Sequence, residues 1–134
     1  MTYPFLWLGL TLVLAMVYIF AAASARTSRF GAKWNAGPRD EDMGDPGVLA
    51  GRLERAQANL FETLPLVIGA VLMAHLAKAD EQQTTLGIQM YFFSRLVYLP
   101  LYALGVPFLR TLAWLVGLIG FFIVLYAVFK APAA

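Results

Sequence analysis

The chain has 134 residues, 60% of them hydrophobic and only 13% charged, with a net charge of +2 and no cysteine. A soluble domain of this size has about a quarter of its residues charged, so the surplus of apolar residues points to lipid as the solvent, and the length allows one domain. The small net charge gives no reason to expect nucleic acid as a partner, and the missing cysteines exclude disulfides, a protein thiolate and cysteine metal sites.

Four apolar segments follow one another. Residues 1–25 carry no charge, 56–77 carry only Glu62 and His75, 82–105 only Arg95, and 107–129 only Arg110. Each is close to the ~20 residues a spanning helix needs. Period-two alternation is absent, which argues against a membrane β-barrel. Helices satisfy their own backbone groups in lipid. The expected fold is therefore an all-α integral membrane bundle of four transmembrane helices, over about 3–30, 47–78, 82–104 and 107–129, forming a single domain across 1–134.

"AAASA" at 21–25 has the small residues of a signal-peptidase site. No Lys or Arg precedes that apolar run and the basic residues follow it, so the segment reads as an uncleaved helix with its N-terminus outside. "NAGPRDEDMGDPG" (35–47) is the one clearly polar loop, and Asp40, Asp42 and Asp45 read as its solvated charges. The short links "KADEQQ" and "GVP" make successive helices antiparallel neighbours. Pro65 and Pro100 should bend the second and third helices. His75 lies off the polar face of the second helix and has no partner for a metal site; a packing or interfacial role is expected. Trp7 and Trp34 fit interface anchors, and Gly117 and Gly120 allow a close helix contact.

Lys and Arg set the orientation. Arg26, Arg29, Lys33, Arg39, Arg52 and Arg55 join the first two helices, Arg110 lies on the same side, and the other side has only Lys78 and Lys130. The arginine-rich side should be cytoplasmic, with both termini outside.

Two polar stripes stand out. At 100° per residue, Arg52, Arg55, Asn59 and Glu62 occupy an arc of about 80°, and Tyr91, Arg95, Tyr98 and Tyr102 one of about 60°. Arginines pair with carboxylates, a carboxylate holds an ammonium, and an asparagine serves a peptide group from either side. A small zwitterionic peptide with more than one carboxylate suits this set, and any thiol chemistry must use a thiol brought by the ligand. The alternative is structural: ionic glue between helices or subunits, with Glu62 neutralised by Arg52 or Arg55.

The stretch "RLERAQANLFETLP" (52–65) resembles the signature of the MAPEG family, the membrane-associated proteins in eicosanoid and glutathione metabolism. The shared pattern R-x-x-R-A-x-x-x-N-x-x-E-x-x-P falls on Arg52, Arg55, Ala56, Asn59, Glu62 and Pro65. Two shorter matches accompany it: R-x-x-Y-x-x-x-Y on Arg95, Tyr98 and Tyr102, and an arginine before a hydroxyl residue at Arg110 and Thr111. Thr63 stands where some members have a tyrosine, and the loop before the motif is similar to the bacterial branch.

The resemblance implies a homotrimer, in a bacterial inner membrane, with glutathione held between adjacent subunits near the cytoplasmic side. Arg52, Arg55, Asn59, Glu62, Arg95, Tyr98 and Tyr102 would bind it, joined by Arg26 or Arg29 from the first helix. Arg110 would be catalytic, stabilising the glutathione thiolate. The implied function is a glutathione-dependent transferase or peroxidase acting on a lipophilic electrophile or lipid hydroperoxide from the membrane lipid, with glutathione as co-substrate and no metal. The competing reading is a non-catalytic scaffold or accessory subunit of the same fold. A transporter is weaker, because neither an inverted repeat nor a pair of broken helices is evident.

Overall fold

The computed structural model describes residues 1–133. They form four long helices, α1 (Tyr3–Phe30), α3 (Val48–Leu76), α4 (Glu81–Ala103) and α5 (Pro107–Lys130), and one short helix, α2 (Ala32–Ala36), which the sequence reading did not separate from the polar connection. α3 and α4 form the short diagonal of the bundle: α1 packs on both, α5 packs on both, and α1 and α5 do not meet.

Three helices, α1, α3 and α5, are long and apolar enough to cross a membrane, so the chain is a multi-pass integral membrane protein. The expectation of four apolar spans is modified at α4. That helix has 23 residues, length enough to span, but it carries three glutamines, two threonines, a serine and Arg95. Its polar side chains Thr84, Ser94 and Arg95 are buried, while Leu86, Phe93, Leu96 and Val97 are exposed. Beyond its polar first turn, α4 thus turns Ser94 and Arg95 inward and several large apolar side chains outward, which is the arrangement that lipid favours.

α5 shows why its pairing with α4 is tight. Only Gly117, Gly120, Val124 and Ala127 of α5 are buried, all small or slender, while Leu112, Leu115, Ile119, Phe122 and Phe129 point outward. A Cβ on Gly87 would stand 2.5 Å from the Gly120 carbonyl oxygen, and one on Gly120 would stand 2.5 Å from that of Gly87. The two backbones touch there, and dispersion between close-packed helices replaces the hydrophobic drive that lipid does not supply.

The core joins Tyr18 of α1, Leu60, Val67 and Val71 of α3, Ile88 and Tyr91 of α4 and Val124 of α5. Trp7 packs edge-on against Phe92, and His75 lies 4.5 Å from the Phe5 ring, so both serve packing between helices. Pro65 and Pro100 lie within α3 and α4, where each removes one backbone donor without ending its helix. In the polar connection Trp34 donates its indole N–H to the Glu41 carbonyl, and the Arg39 guanidinium covers the Trp34 ring. α3 ends in a left-handed turn: Lys78 has φ 53° and the Ala79 N–H reaches back to the Ala74 carbonyl. That position usually holds glycine.

Two stability predictions follow from this packing. Gly87→Ala or Gly120→Ala should cost about 1–3 kcal/mol and lower the melting temperature in detergent. Gly69→Ala, with nothing within 4 Å of its added methyl, should be neutral or slightly stabilising. Equal melting of all three would show that the α4–α5 contact is loose. Lys78→Gly should raise stability by about 1 kcal/mol by relieving the left-handed backbone, and a fall in melting temperature would contradict that reading.

Candidate functional site

The motif arc of α3 turns toward α4 and the start of α5. A cavity of about 430 Å³ opens there, lined by Arg55, Asn59 and Glu62 of α3, Tyr98 and Tyr102 of α4, and Arg110, Thr111 and Trp114 of α5. The volume falls in the range of about 300–1,000 Å³ usual for small-molecule sites. Seven residues singled out from sequence therefore share one cavity although they come from three helices. The short α4–α5 turn makes this happen, because it returns Arg110 alongside Tyr102.

Tyr102 is the hinge of the charge arrangement. The Arg55 Nε–H donates to the Tyr102 hydroxyl at 3.3 Å, and the Arg55 guanidinium lies 6.0 Å from the ring centroid. The Arg110 guanidinium lies 4.5 Å from the same ring. Tyr98 packs edge-on against Tyr102 at 5.6 Å. Two cations thus approach one phenol, and the negative face of the ring offsets only part of their mutual repulsion. The space between them carries a positive potential.

Glu62 is exposed and makes no ion pair among the described residues; the one pair they contain is Arg26–Glu54 at 3.6 Å. The structural alternative in which Arg52 or Arg55 neutralises Glu62 is therefore not realised within the subunit. Arg52 instead donates to the Ala103 carbonyl at 3.2 Å, and Arg55 is engaged by Tyr102. Glu62 therefore lines the cavity without an ionic partner among the described residues.

Arg95 lies behind the cavity wall. It is 1% exposed, and its two terminal nitrogens donate to Asn59 Oδ1 at 2.7 Å and to Thr63 Oγ1 at 3.0 Å. Its guanidinium sits 5.5 Å from the Tyr91 ring and 4.9 Å from the Tyr98 ring. Thr63 also shares a hydrogen bond of 2.7 Å with the Tyr91 hydroxyl. The Tyr18 hydroxyl donates to the Arg95 carbonyl at 2.6 Å, which ties α1 to the same point.

The remaining arginines stay apart from this cavity. Arg26 pairs with Glu54, exposed Arg29 forms no hydrogen bond or ion pair among the described residues, and Arg52 closes over Gly105 at the α4–α5 turn. Two contributors carried little signal in the sequence. Trp114 lies one helical turn beyond Arg110 on the same face, a spacing that could have flagged it. Thr63 stood out only as a departure from the family pattern, and its hydroxyl proves to be a junction of the buried network. Among the described residues no cluster of His, Asp and Glu could hold a metal ion.

Comparison with known proteins agrees with this geometry at the level of family. No curated protein matches the chain. The model of the MAPEG family matches residues 6–130, which takes in α3, α4 and α5, α1 from Leu6 onward and every residue of the cavity. The chain therefore belongs to the MAPEG family.

Proposed function

We propose that the protein is a membrane-bound glutathione-dependent transferase or peroxidase that acts on lipophilic electrophiles or lipid hydroperoxides. One observation carries the reading: a single cavity presents Arg55, Arg110 and Asn59 together with an unpaired carboxylate, Glu62. Glutathione has two carboxylates, one ammonium and a thiol. The guanidinium groups suit its carboxylates, Glu62 suits its ammonium, and Asn59 suits a peptide oxygen. The chain has no thiol of its own, so the nucleophile comes with the ligand.

Arg110 is the group we assign to the sulfur. A guanidinium beside a thiol favours the charged form and lowers its pKa. The thiolate is the reactive species. Its electron pair forms a carbon–sulfur bond with an electrophile, which loses its leaving group or takes up a proton. With a hydroperoxide the O–O bond breaks, and two glutathione molecules yield their disulfide, an alcohol and water. Trp114 lines the cavity and also a narrow slot of about 40 Å³, where Leu66, Gly117, Leu118 and Phe121 meet Thr63, Tyr91 and Arg95.

In this reading α4 also spans the bilayer, giving four crossings with the arginine-rich end cytoplasmic and both termini outside. The membrane is a bacterial inner membrane. The subunit assembles as a homotrimer, in which a neighbour covers the exposed Arg55 and Glu62 and brings Arg29 or Arg26 toward the ligand.

Stopped-flow absorbance of the detergent-purified protein mixed with glutathione should show a saturable thiolate signal in the near ultraviolet. Arg110→Ala should reduce turnover about 100-fold, the scale expected when one electrostatic stabiliser of a reacting charge is removed. Glu62→Gln should raise KM for glutathione about tenfold while leaving kcat nearly unchanged, because it removes a contact equal in ground and transition states. No thiolate signal and no glutathione binding by calorimetry would favour the non-catalytic scaffold.

A further inference from the structure

The family pattern makes Arg95 a ligand contact, yet its guanidinium is buried behind the cavity and both terminal nitrogens are already engaged. We infer that Arg95 is a positioning residue that locks the Asn59 amide as a one-way hydrogen-bond donor, so that the ligand must place an acceptor oxygen against it. The inference builds on the glutathione reading and goes past it by fixing which part of the ligand meets α3.

An asparagine amide can turn over and exchange its donor for its acceptor at little cost. Arginine offers only donors. The 2.7 Å bond from Arg95 Nη1 therefore holds Asn59 Oδ1 toward the protein interior. The Asn59 NH2 group is left on the other side, in a residue that lines the cavity, and it donates to nothing among the described residues. Thr63 holds the second Arg95 nitrogen and is itself held by the Tyr91 hydroxyl, which keeps the guanidinium from swinging into the cavity. The guanidinium charge also withdraws electrons through the amide and strengthens the outward N–H as a donor. The cavity wall on α3 thus offers donors at Arg55 and Asn59 and a single acceptor at Glu62. A ligand fits only with an oxygen at Asn59 and its cation one turn away at Glu62.

Asn59→Asp and Asn59→Leu separate positioning from simple packing. The aspartate keeps the shape and accepts from Arg95, now as a buried ion pair, but it has no N–H to offer. Its melting temperature should equal or exceed that of the parent, while glutathione affinity by calorimetry should fall about tenfold or more. The leucine leaves Arg95 without its acceptor, and the melting temperature should drop by several degrees. Thr63→Val should lower affinity less than Asn59→Asp, with a fall in melting temperature. Glutathione binding to Asn59→Asp at parental affinity would overturn the inference, as would melting in which aspartate is no better than leucine. If the parent protein binds no glutathione, the proposed function fails, and the melting pattern alone then decides whether Arg95 holds Asn59 as described.

Discussion

The buried guanidinium of Arg95 is the constraint around which the bundle is arranged. Taking an arginine out of water costs several kcal/mol unless its donors and charge are met. No carboxylate forms an ion pair with it among the described residues. Its charge and its two terminal nitrogens are met instead by an amide oxygen, a hydroxyl and two phenol rings, supplied by Asn59, Thr63, Tyr91 and Tyr98, while its buried Nε has no partner among the described residues. These partners sit on α3 and α4, so satisfying one charge fixes the rotation and register of the central helix pair. Tyr18 adds α1 through the Arg95 carbonyl. In a low-dielectric bundle such a network is specific because any slip leaves a donor unpaired.

The α4–α5 contact depends on a different physics. It is made by backbone approach at Gly87 and Gly120, with hardly any polar term. Lipid is as apolar as the side chains, so close packing of small residues does what hydrophobic burial does in water. Together the two contacts leave a cleft at the end where α4 turns into α5. There the α4–α5 turn sets Arg110 beside Tyr102, and α3 sets Arg55 and Glu62 opposite. The charges that would be costly deeper in the bundle gather where α1 ends and the polar connection begins.

The separation of roles among the arginines follows from depth and partner. Arg95 is enclosed between two aromatic faces and donates to two oxygen acceptors. Arg52 and Arg26 are absorbed by a backbone carbonyl and by Glu54. Arg55 and Arg110 share one phenol and keep free donors. Residues of one type thus divide into those tied into the protein and those that face the cavity, a division that ideal helix geometry alone does not make. A helical wheel places Arg95, Tyr98 and Tyr102 on one face, but it does not say how far that face is covered by a neighbouring helix.

Much of this protein was legible in its sequence. The uncharged run at 1–25 and the run at 107–129 with only Arg110 determine membrane helices, because a helix satisfies its own backbone in lipid and the period-two alternation of a barrel is absent. The 52–65 stretch carries the family, and its spacing already gathers Arg55, Asn59 and Glu62 on one side of a helix. α4 was the least legible element, since its glutamines, threonines and Arg95 lower its hydropathy and only the bundle shows that its buried polar groups face inward. The tertiary structure alone decided that Arg110 and Trp114 join the α3 arc, that Arg52 and Arg26 do not, and that Thr63 supports Arg95. The physical reason is that these outcomes depend on distances between helices. Local periodicity determines which way a side chain leaves its own helix, and only packing determines what it meets.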